Sequence, residues 1–465
     1  MLSFDLIVIG GGPGGYPAAL LAAKGGLSVA LAEEDAPGGT CLHRGCIPTK
    51  TLLHSASALT DFAKESAHGI LTGEAPRLDM AALDSRRRDV VSTLEEQIRG
   101  SLKRAGVRVF AGRGTVTAPG RVLVTAADGA QEELCAKDIL IATGASPSLP
   151  PIPGADLPGV LTSDTLFDGD LPAPERLTVI GGGVIGVELA SFYSAVGCDV
   201  TVLEMETRLL PLLEKELGQA MAVMLKGRGV TAVTGARVLA IEEAEGGLLC
   251  RYEVKGETRE VLSDNVLLSA GRRARTAGLF AEDVPVQIDR GIVVNERFET
   301  SVPGIWAVGD VIRGTTGLAH GATAQGEAVA EILLGKRESG ALGAVPSCIY
   351  TTPEIACAGQ TEEAAAAAGL DAFSVKVPMH GNGKTVIEEP GRSFMKLVCE
   401  KGTGRILGAE LVAARASDMI PFFTAAVDLG LTAEQLSRVI FPHPTFSETM
   451  GELVKLAAEK AGAVK

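Results

Sequence analysis

One pattern occurs twice in this chain and constrains its fold more than any other feature. Residues 4–34 read FDLIVIGGGPGGYPAALLAAKGGLSVALAEE, and residues 177–206 read LTVIGGGVIGVELASFYSAVGCDVTVLEME. Each copy passes from an apolar β-type run through a Gly-rich turn into an Ala-rich stretch of helical period. A second β-type run follows and ends in Glu. Two βαβ units of this kind predict an α/β protein with two Rossmann-like dinucleotide-binding domains. A chain of 465 residues is also too long for one core, so two to four domains are expected.

The turns carry the chemistry of the repeat. Gly10-x-Gly12-x-x-Gly15 and Gly181-x-Gly183-x-x-Gly186 each sit between strand and helix. The first glycine permits the tight turn, the second admits a pyrophosphate to the backbone, and the third lets the helix pack on the strand. The helix N-terminal N–H groups and dipole then hold the phosphates. Glu33 and Glu204 end the second strands at matching distance, where a carboxylate can bind ribose hydroxyls. At Glu204 it would also repel a 2′-phosphate, which favours NAD over NADP. Arg208 lies close enough to leave that exclusion incomplete.

Between the units the sequence predicts a helical region over about 52–105, short strands, the run DILIATGASP and a proline-dense linker at 148–159. Near 340 the composition changes, and an α+β tail with two Ala/Leu-rich helices begins. A net charge of −14 and an aromatic content of 4% argue against nucleic acid, acidic membranes and base-stacking platforms. No uncharged apolar run reaches the roughly 18 residues of a membrane helix, and no basic or apolar leader opens the chain. The cytoplasm is the expected compartment.

Cys41 and Cys46, in GGTCLHRGCIPTK, stand apart from the other six cysteines, which are scattered among apolar neighbours. As a staple, so short a loop stabilises by only roughly 2 kcal/mol. As half of a zinc site, the pair lacks a second ligand pair at matching spacing, so no metal is expected. A redox dithiol fits best, with one thiol exposed to substrate and one kept as thiolate near an electron carrier. That thiolate needs a nearby cation or helix N-terminus, and Lys50 and Arg44 are the candidates in sequence.

Together GGTCLHRGCIPTK, the paired Gly-rich turns, ILIATG, WAVGD and HPTFSE resemble the flavoprotein disulfide reductases, the class I pyridine nucleotide-disulfide oxidoreductases. Within them the chain is most similar to the dihydrolipoamide dehydrogenases, over essentially its whole length. The resemblance implies an FAD domain at 1–148, an NAD domain at 149–270, a central FAD segment at 271–342 and a dimerisation domain at 343–465. It implies FAD at Gly10, Gly12, Gly15, Glu33, Thr40, Lys50, Gly114, Thr143, Gly144, Asp310 and Ala319. It implies NAD at Gly181, Gly183, Gly186, Glu188, Glu204, Val238, Ala270 and Gly271. Asp310 would bind the ribityl chain, and Glu188 would pair with Lys50 near the nicotinamide. Cys46 matches the thiol beside the isoalloxazine, and Cys41 the outer thiol that attacks substrate. His320, near the flavin edge, is assigned no chemistry.

A neutral dithiol substrate needs a base near pH 7, which imidazole supplies. The resemblance implies His443 as that base, oriented by Glu448, in a segment that reaches the partner subunit of a homodimer. Three positions depart from the family pattern. Phe441 stands where a second His is common, His43 where Asn is common, and Ala274 where Pro is common. The first implies altered packing, the second a changed redox poise, and the third a looser turn.

The function so implied is oxidation of protein-bound dihydrolipoyl groups, with electrons passing through Cys41–Cys46 and FAD to NAD⁺. The partner would be a lipoylated subunit of a 2-oxoacid dehydrogenase complex or of the glycine cleavage system. Alternatives are an NAD(P)H-dependent reductase of another disulfide, or a non-catalytic flavoprotein subunit.

Overall fold

A computed structural model describes residues 2–62, 69–70, 73, 76–388 and 391–462. In the first unit, five strands run parallel in the order Arg108–Ala111, Val29–Glu33, Leu2–Ile9, Gln131–Ile141 and Ile305–Ala307. In the second, the order is Thr231–Thr234, Asp199–Glu204, Arg176–Ile180, Asn265–Leu268 and Val160–Thr162, again all parallel. The fifth strand has a different origin in each. The first sheet takes it from the chain returning after the second unit, whereas the second sheet takes it from the chain entering. The first unit is therefore built from segments on both sides of the second.

Each unit also carries an antiparallel trio of consecutive strands. In the first it comprises Arg113–Ala118, Arg121–Thr125 and the start of Gln131–Ile141. In the second it comprises Arg237–Ala244, Gly247–Val254 and Glu257–Ser263. Parallel strands covered on both faces need continuous apolar runs in place of alternation. Accordingly Leu6 to Ile9, and Leu177, Val179 and Ile180, are all buried.

The region predicted as helical at 52–105 contains two helices, Cys46–Phe62 and Met80–Arg104. Parts of it, at 63–68, 71–72 and 74–75, lie outside the described residues. The first helix starts earlier than its apolar period suggests. Pro48 sits in the first turn, where a helix has no i−4 partner to lose. Asp79 caps the second helix, its Oδ1 accepting from the Ala81 and Ala82 N–H groups at 3.0 Å.

The proline-dense stretch at 148–159 is not a free linker. Ile152, Ala155 and Leu157 pack into the second unit's core, and the Pro153 carbonyl accepts from the Ile241 N–H at 2.8 Å.

The C-terminal part is α+β: an antiparallel sheet ordered Ser347–Ile349, Glu354–Gly359, Ile406–Ala413, Phe394–Glu400, Ala372–Pro378. Helices Ala416–Asp428 and Glu448–Gly462 help cover one face, and among the described residues three short α-helices accompany the two predicted. The other face sends Ile349, Ile355, Phe394 and Val412 into a core shared with Leu189 and Leu217 of the second unit and with Leu52 and Leu53. Three parts of the chain thus meet in one apolar cluster. Truncating fully buried Leu52 to Ala would cost about 2–5 kcal/mol there. Among the described residues, no helix is long and apolar enough to cross a bilayer.

Candidate active site

The two turns share their geometry. A Cβ on Gly15 would lie 1.8 Å from the Gly10 carbonyl oxygen, and one on Gly186 would lie 2.0 Å from that of Gly181. Both glycines are required by the approach of helix to strand. Gly183 differs, because a Cβ there would meet nothing within 4 Å. Packing within the chain does not require that glycine, and the space beside it is open to a ligand. Glu33 Oε2 accepts from the Gly11 N–H at 2.5 Å, and Glu204 Oε2 from the Gly182 N–H at 2.6 Å. Each carboxylate is thereby fixed at the mouth of its turn.

The Arg208 guanidinium donates to the Pro211 and Leu213 carbonyls at 3.0 Å each. Those bonds hold it to its own loop. Val238 follows the Ala236 N–H, which donates to the Glu204 carbonyl at 2.8 Å. Ala270 and Gly271 are exposed between strands Asn265–Leu268 and Arg272–Ala274.

Around the first turn, Gly114 lies against Ile9, and Thr143 Oγ1 donates to the Arg275 carbonyl at 3.0 Å. Gly144 has φ +68°. Asp310 is half-buried, its carboxyl is pushed upward chiefly by that burial, and it accepts no hydrogen bond among the described residues. An orphaned carboxylate of this kind fits a hydroxyl-rich chain such as ribityl. Ala319 opens helix Ala319–Leu333, and His320 contacts the Pro346 carbonyl. These residues form a cradle that fits FAD.

Cys41 sits on the short helix Gly39–His43, and Cys46 begins helix Cys46–Phe62. Gly39 has φ +57°, and a Cβ there would come 2.7 Å from the Gly12 Cα. The dithiol loop therefore lies backbone to backbone on the first turn. Both thiols are free and partly exposed. The Cys46 thiol is lowered from its usual range, first by the hydrogen bond from Cys41 and then by the Lys50 charge against opposing burial. Its place at a helix N-terminus acts in the same sense. Cys41, as donor, moves upward.

Of the two expected cations, Lys50 serves the dithiol and Arg44 does not. Arg44 turns outward to Asp35 at 2.7 Å and Asp168 at 3.0 Å. Lys50 Nζ donates to both Glu188 oxygens, at 2.8 and 3.1 Å, joining the Cys46 helix to helix Val184–Ala195 of the second unit. The Tyr350 N–H completes the grip on Glu188 Oε1 at 2.9 Å. Sequence reasoning missed Tyr350, since nothing in IYTTPE marks it.

His443 and Glu448 are joined as expected in geometry: Nδ1 lies 2.8 Å from Glu448 Oε1, and the Thr445 N–H donates to Oε2 at 2.9 Å. The Thr445 N–H and then His443 lower the Glu448 carboxyl. The His443 side chain is 78% exposed, and no hydrogen bond or ion pair joins it to Cys41 or Cys46 among the described residues. Phe441 packs edge-on against Phe422 at 5.7 Å, and His43 Nε2 lies 3.2 Å from the Pro37 carbonyl.

Known proteins resemble this chain in sequence and fold. The pyridine nucleotide-disulphide oxidoreductase family model matches residues 4–326, and the dimerisation domain model of that family matches 345–454. The chain is 36% identical to the dihydrolipoyl dehydrogenase of Geobacillus stearothermophilus, covering 98% of this chain and 96% of that protein. LpdA from Mycobacterium tuberculosis superposes with a TM-score of 0.89 at 30% identity, over 97% of this chain and 99% of that one. The HOCl-induced flavoprotein disulfide reductase RclA from Escherichia coli gives 0.86 at 30% identity, over 97% and 99%. With a dithiol seated on one nucleotide turn and tied through Lys50 to the other, and with both family models matched in order, this chain belongs to the pyridine nucleotide-disulphide oxidoreductases.

Proposed function

We propose that the protein is a dihydrolipoyl dehydrogenase, oxidising protein-bound dihydrolipoyl groups with NAD⁺. The observation that carries this is the dithiol itself. Its inner sulfur is acidified by Cys41 and Lys50, and it stands between two nucleotide turns joined by Lys50–Glu188. Full-length similarity to dihydrolipoyl dehydrogenases supports the substrate class.

The reaction starts from the oxidised pair. His443 takes a proton from one substrate thiol, and the thiolate attacks the Cys41 sulfur, breaking the Cys41–Cys46 bond. Cys46 leaves as a thiolate that Lys50 stabilises. His443 passes that proton to solvent and takes the proton of the second substrate thiol, which attacks the mixed disulfide, releasing a cyclic disulfide and the Cys41 thiolate. Cys41 then receives the proton held on His443. Glu448 fixes the imidazole tautomer and stabilises the imidazolium between the two transfers. Two electrons now rest on the chain's own dithiol. The first turn with Thr40, Thr143, Gly144, Asp310 and Ala319 would hold FAD, which when bound would supply two-electron redox chemistry between the dithiol and NAD⁺. Gly181, Gly183, Gly186 and Glu204, with Val238, Ala270 and Gly271, would hold the nicotinamide nucleotide.

His443 stands exposed on its own subunit because the site it serves belongs to the second copy of a homodimer. The lipoyl group is carried by a subunit of a 2-oxoacid dehydrogenase complex or by a glycine cleavage carrier, in the cytosol. The test is direct. Purified protein shows a flavin absorbance spectrum and reduces NAD⁺ when given dihydrolipoamide, with NADP⁺ a poor substitute. Absence of flavin, or of NADH formation from dihydrolipoamide, overturns the assignment.

A further inference from the structure

A lysine side chain has four rotatable bonds, and the Lys50 side chain is 30% exposed, so Glu188 alone does not fix where its charge points. A third segment contributes. Tyr350 follows strand Ser347–Ile349 of the C-terminal sheet, and its ring lies 4.6 Å from Lys50 Nζ, within cation–π range. Its N–H already donates to Glu188. One residue therefore contacts the anion through its backbone and the cation through its ring face. The ring is no acid–base group. Its hydroxyl is pushed up to about 12, first by burial and then by Cys348, Glu354, Glu188 and Cys46, so it stays neutral in the working range. What remains to it is the attraction of its π face for an ammonium.

We propose that Tyr350 is a positioning residue whose ring holds the Lys50 ammonium toward Cys46, so that the C-terminal domain sets the reactivity of a thiol on the first domain. The backbone N–H to Glu188 survives any side-chain change, which lets substitution isolate the ring. The inference uses the redox reading of Cys46 only in its choice of reporter. Labelling is measured without turnover, so its failure is distinct from a failure of dihydrolipoamide oxidation.

The experiment uses FAD-loaded protein carrying Cys41→Ser, which leaves Cys46 as the one thiol of the pair. The rate of iodoacetamide labelling at Cys46 is followed against pH by peptide mass spectrometry. In this background Tyr350→Leu raises the labelling midpoint by about half a pH unit, while Tyr350→Phe, which keeps the ring, leaves it in place. Adding Tyr350→Leu to Lys50→Met gives no further shift, because the cation is already gone. The proposal is overturned if Tyr350→Leu does not move the midpoint, or if Tyr350→Phe moves it equally. A shift that persists without Lys50 also overturns it, since it would report general loosening of the site.

Discussion

Two lysine–glutamate pairs lie inside this molecule, their carboxylates at equal depth and in different condition. Glu188 and Glu410 are each 3% exposed. Glu188 takes hydrogen bonds on both oxygens, from Lys50 and from the Tyr350 N–H. Glu410 pairs across the C-terminal sheet with Lys396, but Nζ lies 3.6 Å away and neither oxygen accepts a hydrogen bond among the described residues. Lys396 is shared with Glu214 of the second unit at 3.3 Å, and Lys376, Glu216 and Cys357 border the same cluster. Burial pushes the Glu410 carboxyl up to about 7 against the pull of Lys396. The cost of a buried carboxylate is thus set by its partners more than by its depth. On the proposed function the satisfied pair serves the dithiol, while the unsatisfied one lies where the C-terminal sheet meets the second unit.

The comparison can be broken at several points. The largest effect is expected from Cys46→Ser, which removes what the first pair serves. Dihydrolipoamide-dependent NAD⁺ reduction is abolished, while the pH dependence of the melting temperature, set in part by Glu410, stays as it was. His443→Gln touches neither interior pair. Turnover falls by about 10²–10⁴-fold, with the Cys46 labelling profile unchanged, and a loss under tenfold would remove His443 from the proton step.

Glu410→Gln tests the second pair. Because the folded carboxyl holds its proton to about 7, its contribution to stability is complete below pH 4.5 and is lost as pH rises through 7. The loss amounts to roughly 3 kcal/mol at about 1.4 kcal/mol per pH unit. The variant should melt higher than the parent at pH 8 and show a flatter profile between pH 5 and 8, with turnover within about twofold. Collapse of turnover would mean that both pairs serve the site.

The smallest effect sharpens the first pair. Lys50→Met raises the pH midpoint of Cys46 labelling and Glu188→Gln lowers it, since the two charges act on the thiol in opposite senses. Each shift stays under about one unit, because water still reaches Lys50. Shifts of the same sign would show that the pair acts by geometry and not by charge.

The two turns, their acidic strand ends, the dithiol and the HPTFSE segment were legible because each is local, a few residues whose spacing states its use. The fold class followed from the repeat for the same reason. Contacts between distant segments were not legible. Glu188 is 138 residues from Lys50, and only family resemblance joined them. Tyr350 and Glu410 were missed because β periodicity says which residues share a face, not which strand lies beside them. Arg44 is near the thiols in sequence, yet Asp168, 124 residues away, draws it outward. The prolines at 148–159 read as a linker into the second unit, and nothing in their pattern reveals that Ile152 and Leu157 enter a core.

The exposed imidazole of His443 bears, finally, on inheritance. If each reaction centre draws its thiols from one subunit and its base from the other, two inactive alleles can rescue one another. Subunits lacking Cys46 mixed with subunits lacking His443 form hybrid dimers in which one centre carries both lesions and the other carries neither. Random pairing would then leave about a quarter of all centres intact, so a cell with two broken copies of the gene would still turn over substrate.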